Sequence, residues 1–238
     1  MVQRGLSTGA RAYIAAVAVL ALLAGANLLV SNHRSAVAPV TFLAVAGLGM
    51  VAHAFPIHAL RHQAYQVTLP FIIIAAALFS APQLILFLVL IHVAEQLRVR
   101  RPLYIQGFNL CDYLLSAALA AIFFQRAAAL MPATTLSSIE AAMAAGCTFI
   151  VLNRVILMGV LWTARGLSPA RSGLFQPELL AADLVIVWIS GPMLVLTTQA
   201  GPWMLLVTAG PLCLARPALA ALVAQRDRSV REVRANAA

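Results

Sequence analysis

The chain has 238 residues, of which 63% are hydrophobic and 10% are charged, with a formal net charge of +9. Because a soluble domain has about 45–50% apolar and about 25% charged residues, this composition excludes a water-soluble protein with one apolar core. The 16 basic residues are all arginines. They stand singly or in small groups between apolar runs, which is typical of membrane-protein loops rather than of a nucleic acid interface. We therefore predict an all-α integral membrane protein that contacts the lipid bilayer and has no nucleic acid partner.

Eight apolar segments predict about eight transmembrane helices. They cover residues 12–30, 38–57, 66–79, 82–97, 105–126, 136–162, 178–199 and 202–223. The resulting division is a polytopic membrane domain over residues 1–224 and a polar cytoplasmic tail over residues 225–238. The tail has a weak heptad pattern, which makes it a candidate start of a signalling helix as well as an ordinary solvated end.

The first apolar segment has two interpretations. Ala36-Val37-Ala38 behind it resembles a signal-peptidase site, which would make the segment a cleaved signal peptide. Its apolar run is longer than the about 7–15 residues usual in signal peptides and close to the about 20 that span a bilayer. We therefore expect a retained first helix.

The third and fourth segments are short and meet at Ser80-Ala81-Pro82, so they form a short hairpin. The pair either spans a thinned bilayer, which is the interpretation that we favour, or re-enters the membrane from one side. Gly191-Pro192 and Gly210-Pro211 interrupt the last two segments and predict kinks there, because proline removes a backbone hydrogen bond.

The distribution of arginine predicts the orientation of the chain. Eight crossings with the N-terminus in the cytoplasm leave only Arg34 and Arg126 in the outside segments. The inside segments then hold Arg4, Arg11, Arg61, Arg98, Arg100, Arg101, Arg165, Arg171, Arg226, Arg228, Arg231 and Arg234. Since cytoplasmic loops of membrane proteins are enriched in Lys and Arg, we predict that both termini are cytoplasmic.

Polar side chains inside the predicted helices fall at one depth, in the cytoplasmic half of the bundle. A charge inside the bilayer costs about 2.5–3.5 kcal/mol on insertion scales and is a functional candidate by default. The candidate residues are His92, Glu95, Asn109, Asp112, Asn153, Arg154, Asp183 and Arg216. We expect the carboxylates among them to pair with the two arginines. The cluster is then a network that fixes helix packing, a pocket that binds a small ligand or senses protons or ions, or a catalytic site.

Several common chemistries have no motif in this chain. It has no lysine and no GxSxG or GxGxxG pattern, and His92 and Glu95 stand in HVAEQ rather than in a zinc-binding HExxH. We expect no catalytic residues, no cofactor and no metal. We interpret His53, His58 and His62 as interfacial side chains.

A family resemblance begins at Arg100-Arg101-Pro102-Leu103-Tyr104 and Phe108-Asn109, which follow a hairpin rich in Leu and Ala. Val151-Leu152-Asn153-Arg154 repeats the aliphatic-Asn element. This pattern resembles the multi-pass N-terminal sensor region of bacterial signalling proteins, where it precedes diguanylate cyclase (GGDEF), HD-GYP phosphodiesterase or, sometimes, histidine kinase domains. The resemblance implies a membrane-embedded input module in the bacterial inner membrane. No GGDEF, HD or kinase motif follows within this sequence, so, if the chain is complete, a cytoplasmic signalling protein would supply the output.

We therefore expect a non-enzymatic sensor or anchoring module that couples the polar cluster to a cytoplasmic partner or to a second copy of the chain. The alternative is a small-molecule transporter or a substrate-capture membrane subunit. Helices broken by Gly-Pro pairs near polar residues are typical of transporter sites.

Overall fold

Helices form almost all of the chain that the computed structural model describes, which is residues 6–55, 57–58, 64–65, 67–210 and 225. The helices are α1 (Thr8–Ser31), α2 (Pro39–Ala54), α3 (Leu69–Leu78), α4 (Ala81–Val99), α5 (Leu103–Leu130), α6 (Thr135–Arg165), α7 (Pro169–Ser172) and α8 (Pro177–Ala200). Residues 204–210 are also helical. Between α2 and α3, β1 (Ile57–His58) pairs with β2 (Ala64–Tyr65) in an antiparallel ladder of two residues each.

Five of these helices, namely α1, α4, α5, α6 and α8, are long and apolar enough to cross a membrane. Their outer faces expose large apolar side chains, among them Leu22 at 71%, Val30 at 75% and Leu130 at 87%. Contiguous apolar surface of this kind is rare on soluble monomers and is well solvated by lipid. The predicted multi-pass, helical membrane character is confirmed. The count of eight crossings stays a prediction, and residues 211–223 of the eighth segment lie outside the described part of the chain.

The helix of the third segment is much shorter than a membrane crossing. α3 has ten residues, or about 15 Å at 1.5 Å per residue, against the about 30 Å of a hydrocarbon core. It is buried along nearly its whole length and contacts α2, α5, α6 and α8. At its C-terminal end, Arg34 donates to the carbonyl of Ala76 (2.9 Å), and Asn32 donates to the carbonyl of Phe79 (3.3 Å). α3 is therefore a half-length helix in the centre of the bundle.

Local sequence explains where the long helices begin. The Ser7 hydroxyl accepts a hydrogen bond from the amide of Ala10 at the start of α1 (3.1 Å), and Ser80 with Gln83 forms a capping box at the start of α4. Gln83 also accepts from the amide of Val37 (3.0 Å) and donates to its carbonyl (3.2 Å). The same side chain thus caps α4 and ties the start of α2 to it.

The bundle has two ends, and we call the one that contains the turn from α4 to α5 (residues 100–102) the α4–α5 end. Arg98 donates to the carbonyl of Ala54, and the Ser7 hydroxyl donates to the carbonyl of Thr163 (3.0 Å). These contacts bring the ends of α2 and α6 and the start of α1 to the α4–α5 end. The arginines at this end are Arg11, Arg98, Arg100, Arg101, Arg165 and Arg171, whereas Arg34 and Arg126 lie toward the opposite end.

Two glycines allow helices to approach closely. A Cβ atom on Gly146 of α6 would lie 2.7 Å from Ile73 and 2.9 Å from Val187, so this glycine lets α3 and α8 pack against α6. A Cβ atom on Gly191 would lie 2.7 Å from a methyl group of Ile139. α8 continues through Pro192, so Gly191-Pro192 does not end the helix, and the predicted kink there stays a prediction.

Gly146→Ala is expected to destabilise the protein by about 1–3 kcal/mol, because the added methyl group overpacks a contact among three helices. Gly47→Ala is the matched control, since a Cβ at Gly47 would meet nothing within 4 Å. That variant is expected to be neutral or slightly stabilising, as alanine is the better helix former. Reversible unfolding in mixed micelles measures both. Equal stability of the two variants would contradict the packing described here.

Candidate functional site

A band of polar side chains crosses the bundle toward the α4–α5 end, and we call it the polar layer. It consists of His53, Thr68, His92, Glu95, Arg101, Gln106, Asp112, Ser116, Asn153, Arg154 and Asp183. Apart from Arg101, each of these residues is at most 9% exposed. Polar groups in an apolar surrounding are costly unless they are hydrogen-bonded, so the contacts within this layer constrain how the helices pack.

Glu95 of α4 is the centre of the first contact group. Its carboxylate accepts from Arg101 (3.1 Å) and from the side-chain amide of Gln106 (3.2 Å), and its Oε2 lies 3.5 Å from Nε2 of His53. The Arg101 side chain is 33% exposed and so connects this buried group to the surface of the α4–α5 end. The group joins α2, α4 and α5. The arginine that pairs with Glu95 in the described structure is Arg101, which was not among the two arginines expected from the sequence.

Two histidine rings pack beside Glu95. Nδ1 of His92 is 2.8 Å from the carbonyl of Leu88, which requires that this nitrogen carry a hydrogen. The His92 ring lies 4.8 Å from that of His53 and 4.8 Å, edge to face, from that of Tyr113. His53 also pairs through Nδ1 with the hydroxyl of Thr68 (3.3 Å) at the start of α3. The His53 side chain is therefore packed inside the bundle, with only 9% of it exposed, and its interfacial depth stays a prediction.

Asp112 of α5 forms the second contact group. Its carboxylate accepts from the hydroxyl of Ser116 one turn later (3.2 Å) and from the side-chain amide of Asn153 of α6 (2.9 Å). Both donors are neutral, and no arginine or histidine pairs with Asp112 within the described ranges. The expected pairing of this carboxylate with an arginine is thus not found there. Arg216, the remaining candidate partner, lies outside the described residues.

Arg154 and Asp183 form the third contact group, a buried ion pair between α6 and α8. The guanidinium also donates to the carbonyl of Leu174, in the connection that leads into α8. Both side chains are less than 10% exposed. This pair is one of the carboxylate–arginine combinations that the sequence left open.

Unpaired polar atoms are concentrated in and beside the polar layer. Seven buried side-chain nitrogen or oxygen atoms of the described residues have no hydrogen-bond partner, and they belong to His53, His92, Gln96, Arg101, Gln106, Arg154 and Asp183. Gln96 adjoins the layer through its hydrogen bond to the carbonyl of Arg101 (2.8 Å). Because buried polar atoms are rarely left unpaired, this region has capacity for further polar contacts.

The sequence candidates are therefore only partly brought together. His92 and Glu95 lie in the first group, Asp112 and Asn153 in the second, and Arg154 and Asp183 in the third. Asn109 is half-buried, and its backbone carbonyl faces His92.

Other members of the layer escaped sequence reasoning. His53 could have been found, because it is the one ionisable residue in α2 and shares the depth of the candidates. The sequence gives no comparable indication for the other four residues, since such residues are common at helix ends and on polar helix faces. They are Thr68, Arg101, Gln106 and Ser116.

Within the described ranges, no three or more His, Cys, Asp or Glu side chains are grouped so that they could hold a metal ion. No known protein family, curated protein or solved structure matches this chain. Its function must therefore be argued from the polar layer itself.

The three contact groups link neighbouring helices in series. The first joins α2, α4 and α5, the second joins α5 and α6, and the third joins α6 and α8. Each link depends on the charge of at least one side chain. A change in the charge of one contact group, or the binding of a ligand there, therefore alters the packing of a helix that also belongs to the next contact group.

Proposed function

We propose that this chain is a non-enzymatic sensor or anchoring module of the bacterial cytoplasmic membrane, which couples its polar layer to a cytoplasmic output. The observation that supports this proposal is the serial connection of five helices by buried, charge-dependent contacts. A purely apolar bundle would be held by packing alone and would respond weakly to charge. Here a local change in proton, ion or ligand binding acts on a contact that two helices share.

The proposal includes eight crossings with both termini in the cytoplasm. The positive-inside rule supports this orientation, because the arginines of the described residues gather at the α4–α5 end, whereas Arg34 and Arg126 lie toward the other. In this orientation the polar layer lies in the cytoplasmic half of the membrane. Arg101, which pairs with Glu95 and is 33% exposed on its side chain, then connects the layer to the cytoplasmic face.

The output in this proposal is a cytoplasmic signalling protein or a second copy of the chain. The resemblance of residues 100–109 and 151–154 to the sensor regions of cyclase and phosphodiesterase proteins supports a partner that makes or degrades a signalling nucleotide. The polar tail over residues 225–238 is the segment that such a partner would contact, and the last membrane helix would pass the change to it.

Hydrogen exchange of the full-length protein in lipid nanodiscs tests the proposal. The stimuli are a change of pH, replacement of sodium by choline, and replacement of zwitterionic by anionic lipid. At least one is expected to change exchange in residues 98–105 and 225–238, and Arg154→Gln is expected to abolish the response in the tail. Arg126→Gln, an exposed arginine toward the opposite end, is the control. Identical responses in wild type and Arg154→Gln, or no response to any stimulus, would contradict a sensor based on this layer.

The half-length helix α3 favours a second candidate, a transporter or substrate-capture subunit. α3 is buried in the centre, and Thr68 at its start contacts His53 of the polar layer. Short helices that end at a polar site inside the bundle are typical of transporters. Solute flux separates the candidates, because a transporter in sealed proteoliposomes moves its solute across the membrane, whereas a sensor only binds its stimulus. A sodium tracer is the first solute to use.

A further inference from the structure

We infer that Asp112, Ser116 and Asn153 form a binding site for one monovalent cation, either a proton or Na⁺, in the interior of the membrane. This inference deepens the proposed function, because it names the ligand of one contact group of the polar layer. It begins from the position of Asp112, which lies about 14 Å along α5 from Leu103 at 1.5 Å per residue. The side chain is completely buried, with an exposure of 0%.

The neighbours of Asp112 in the described structure leave its charge unbalanced. Among the described residues, the side chains that donate hydrogen bonds to it are the neutral groups of Ser116 and Asn153. Arg154, which follows Asn153, is directed to Asp183 and to the carbonyl of Leu174. α3 brings no titratable side chain to this region. Near the depth of Asp112, the other titratable groups on the surrounding elements include Tyr13 of α1, His92 and Glu95 of α4, and Cys111 and Tyr113 of α5 itself. Arg11, Arg98, Arg126, Glu140 and Arg165 lie on the same helices but toward their ends.

None of these neighbours supplies a matching positive charge. Tyr13 donates to the carbonyl of Ile156 (3.0 Å), and Tyr113 packs edge to face on His92. His92 donates to the carbonyl of Leu88, and Glu95 is itself an anion that pairs with Arg101. A lone buried carboxylate is strongly disfavoured in an apolar medium. A bound cation removes this penalty, and one carboxylate balances one positive charge.

The atoms around Asp112 can hold either cation. Bound as a proton, the cation makes Asp112 a carboxylic acid that still accepts from Ser116 and Asn153. Bound as Na⁺, it takes both carboxylate oxygens, the hydroxyl oxygen of Ser116 and, after rotation of the amide, the carbonyl oxygen of Asn153. Oxygen donors are those that hard cations prefer. Rotation exchanges the amide nitrogen and oxygen without moving the rest of the side chain.

Infrared spectroscopy and sodium titration of the full-length protein in nanodiscs test the inference. A bound proton gives the C=O band of a carboxylic acid at neutral pH. The band is expected to shift when aspartate is labelled with a carbon isotope and to vanish in Asp112→Asn. Bound Na⁺ gives no such band but raises the thermal unfolding midpoint when choline chloride is replaced by sodium chloride. That rise is expected to be absent in Asp112→Asn and present in Glu140→Gln, whose parent carboxylate is exposed.

Ser116→Ala keeps the test decisive if Asp112→Asn does not fold. In the sodium case, loss of one oxygen ligand is expected to raise the half-saturating sodium concentration about tenfold, which equals about 1.4 kcal/mol. In the proton case, loss of the Ser116 hydrogen bond is expected to shift the isotope-sensitive acid band.

An ionised Asp112 with no sodium response would overturn the inference. It would leave the sensor proposal to be decided by exchange under the other stimuli. Cation binding at Asp112 without any change of hydrogen exchange in the tail would support the cation site and contradict the sensor proposal.

Discussion

Arg154→Gln is expected to destabilise the folded protein by about 3–5 kcal/mol, which is the usual loss when one partner of a buried ion pair is removed. Asp183 would remain 3% exposed without its cation, and the carbonyl of Leu174 would lose its donor. Asp183→Asn is expected to cause a loss of similar size, because it leaves the guanidinium of Arg154 unpaired. Unfolding in mixed micelles at equilibrium measures both variants.

A double replacement distinguishes the energetic effect of the ion pair from the effect of altered side-chain packing. Arg154→Met with Asp183→Leu removes both charges, and its loss is expected to be well below the sum of the single losses, since no charge is left unpaired. Arg126→Gln, an exposed arginine toward the opposite end, is expected to change the stability by at most about 0.5 kcal/mol. Additive single losses, or a loss in Arg154→Gln as small as in this control, would show that the pair does not join α6 to α8.

The second large effect is expected for Glu95→Gln, with a loss of about 1.5–3 kcal/mol for a hydrogen bond to a buried charged group. Glutamine has nearly the size of glutamate, so the loss reports on charge rather than on packing. The carboxylate is the common partner of Arg101, Gln106 and His53, and these contacts join three helices.

Arg101→Gln provides the comparison for Glu95→Gln. Its loss is expected to be smaller, because the Arg101 side chain is 33% exposed and water screens its pairing with Glu95. Added salt is expected to reduce the effect of Arg101→Gln more than that of Glu95→Gln. The same unfolding assay at low and high salt gives both comparisons. A larger loss for Arg101→Gln would mean that the exposed arginine, and not the buried carboxylate, holds this group together.

Together these variants distinguish a polar layer that only fixes helix packing from one that also responds to a ligand. Stability losses alone fit the packing interpretation. Loss of the tail response in hydrogen exchange, in variants that remain folded, is expected only for a layer that transmits a change. The cation site at Asp112 adds a third readout, because it predicts a specific infrared band or a specific sodium dependence.

The amino-acid sequence alone indicates that lipid surrounds this protein and predicts the depth of individual side chains along its helices. Its apolar content indicates lipid, and the lengths of the apolar segments lead to the five long helices that the structure contains. Position along a helix converts directly into depth, so Glu95, Asp112, Arg154 and Asp183 are predicted at similar heights.

Only the tertiary structure decides which side chains meet at a given depth. In a membrane the lipid-facing and core-facing surfaces of a helix are both apolar, so the sequence gives little information on how each helix is rotated about its axis. The rotation and packing of the helices pair Glu95 with Arg101, leave Asp112 with neutral partners and bring His53 into the polar layer. They also bury the ten-residue α3 at the centre, because its position depends on contacts with α2, α5, α6 and α8 rather than on its own short sequence.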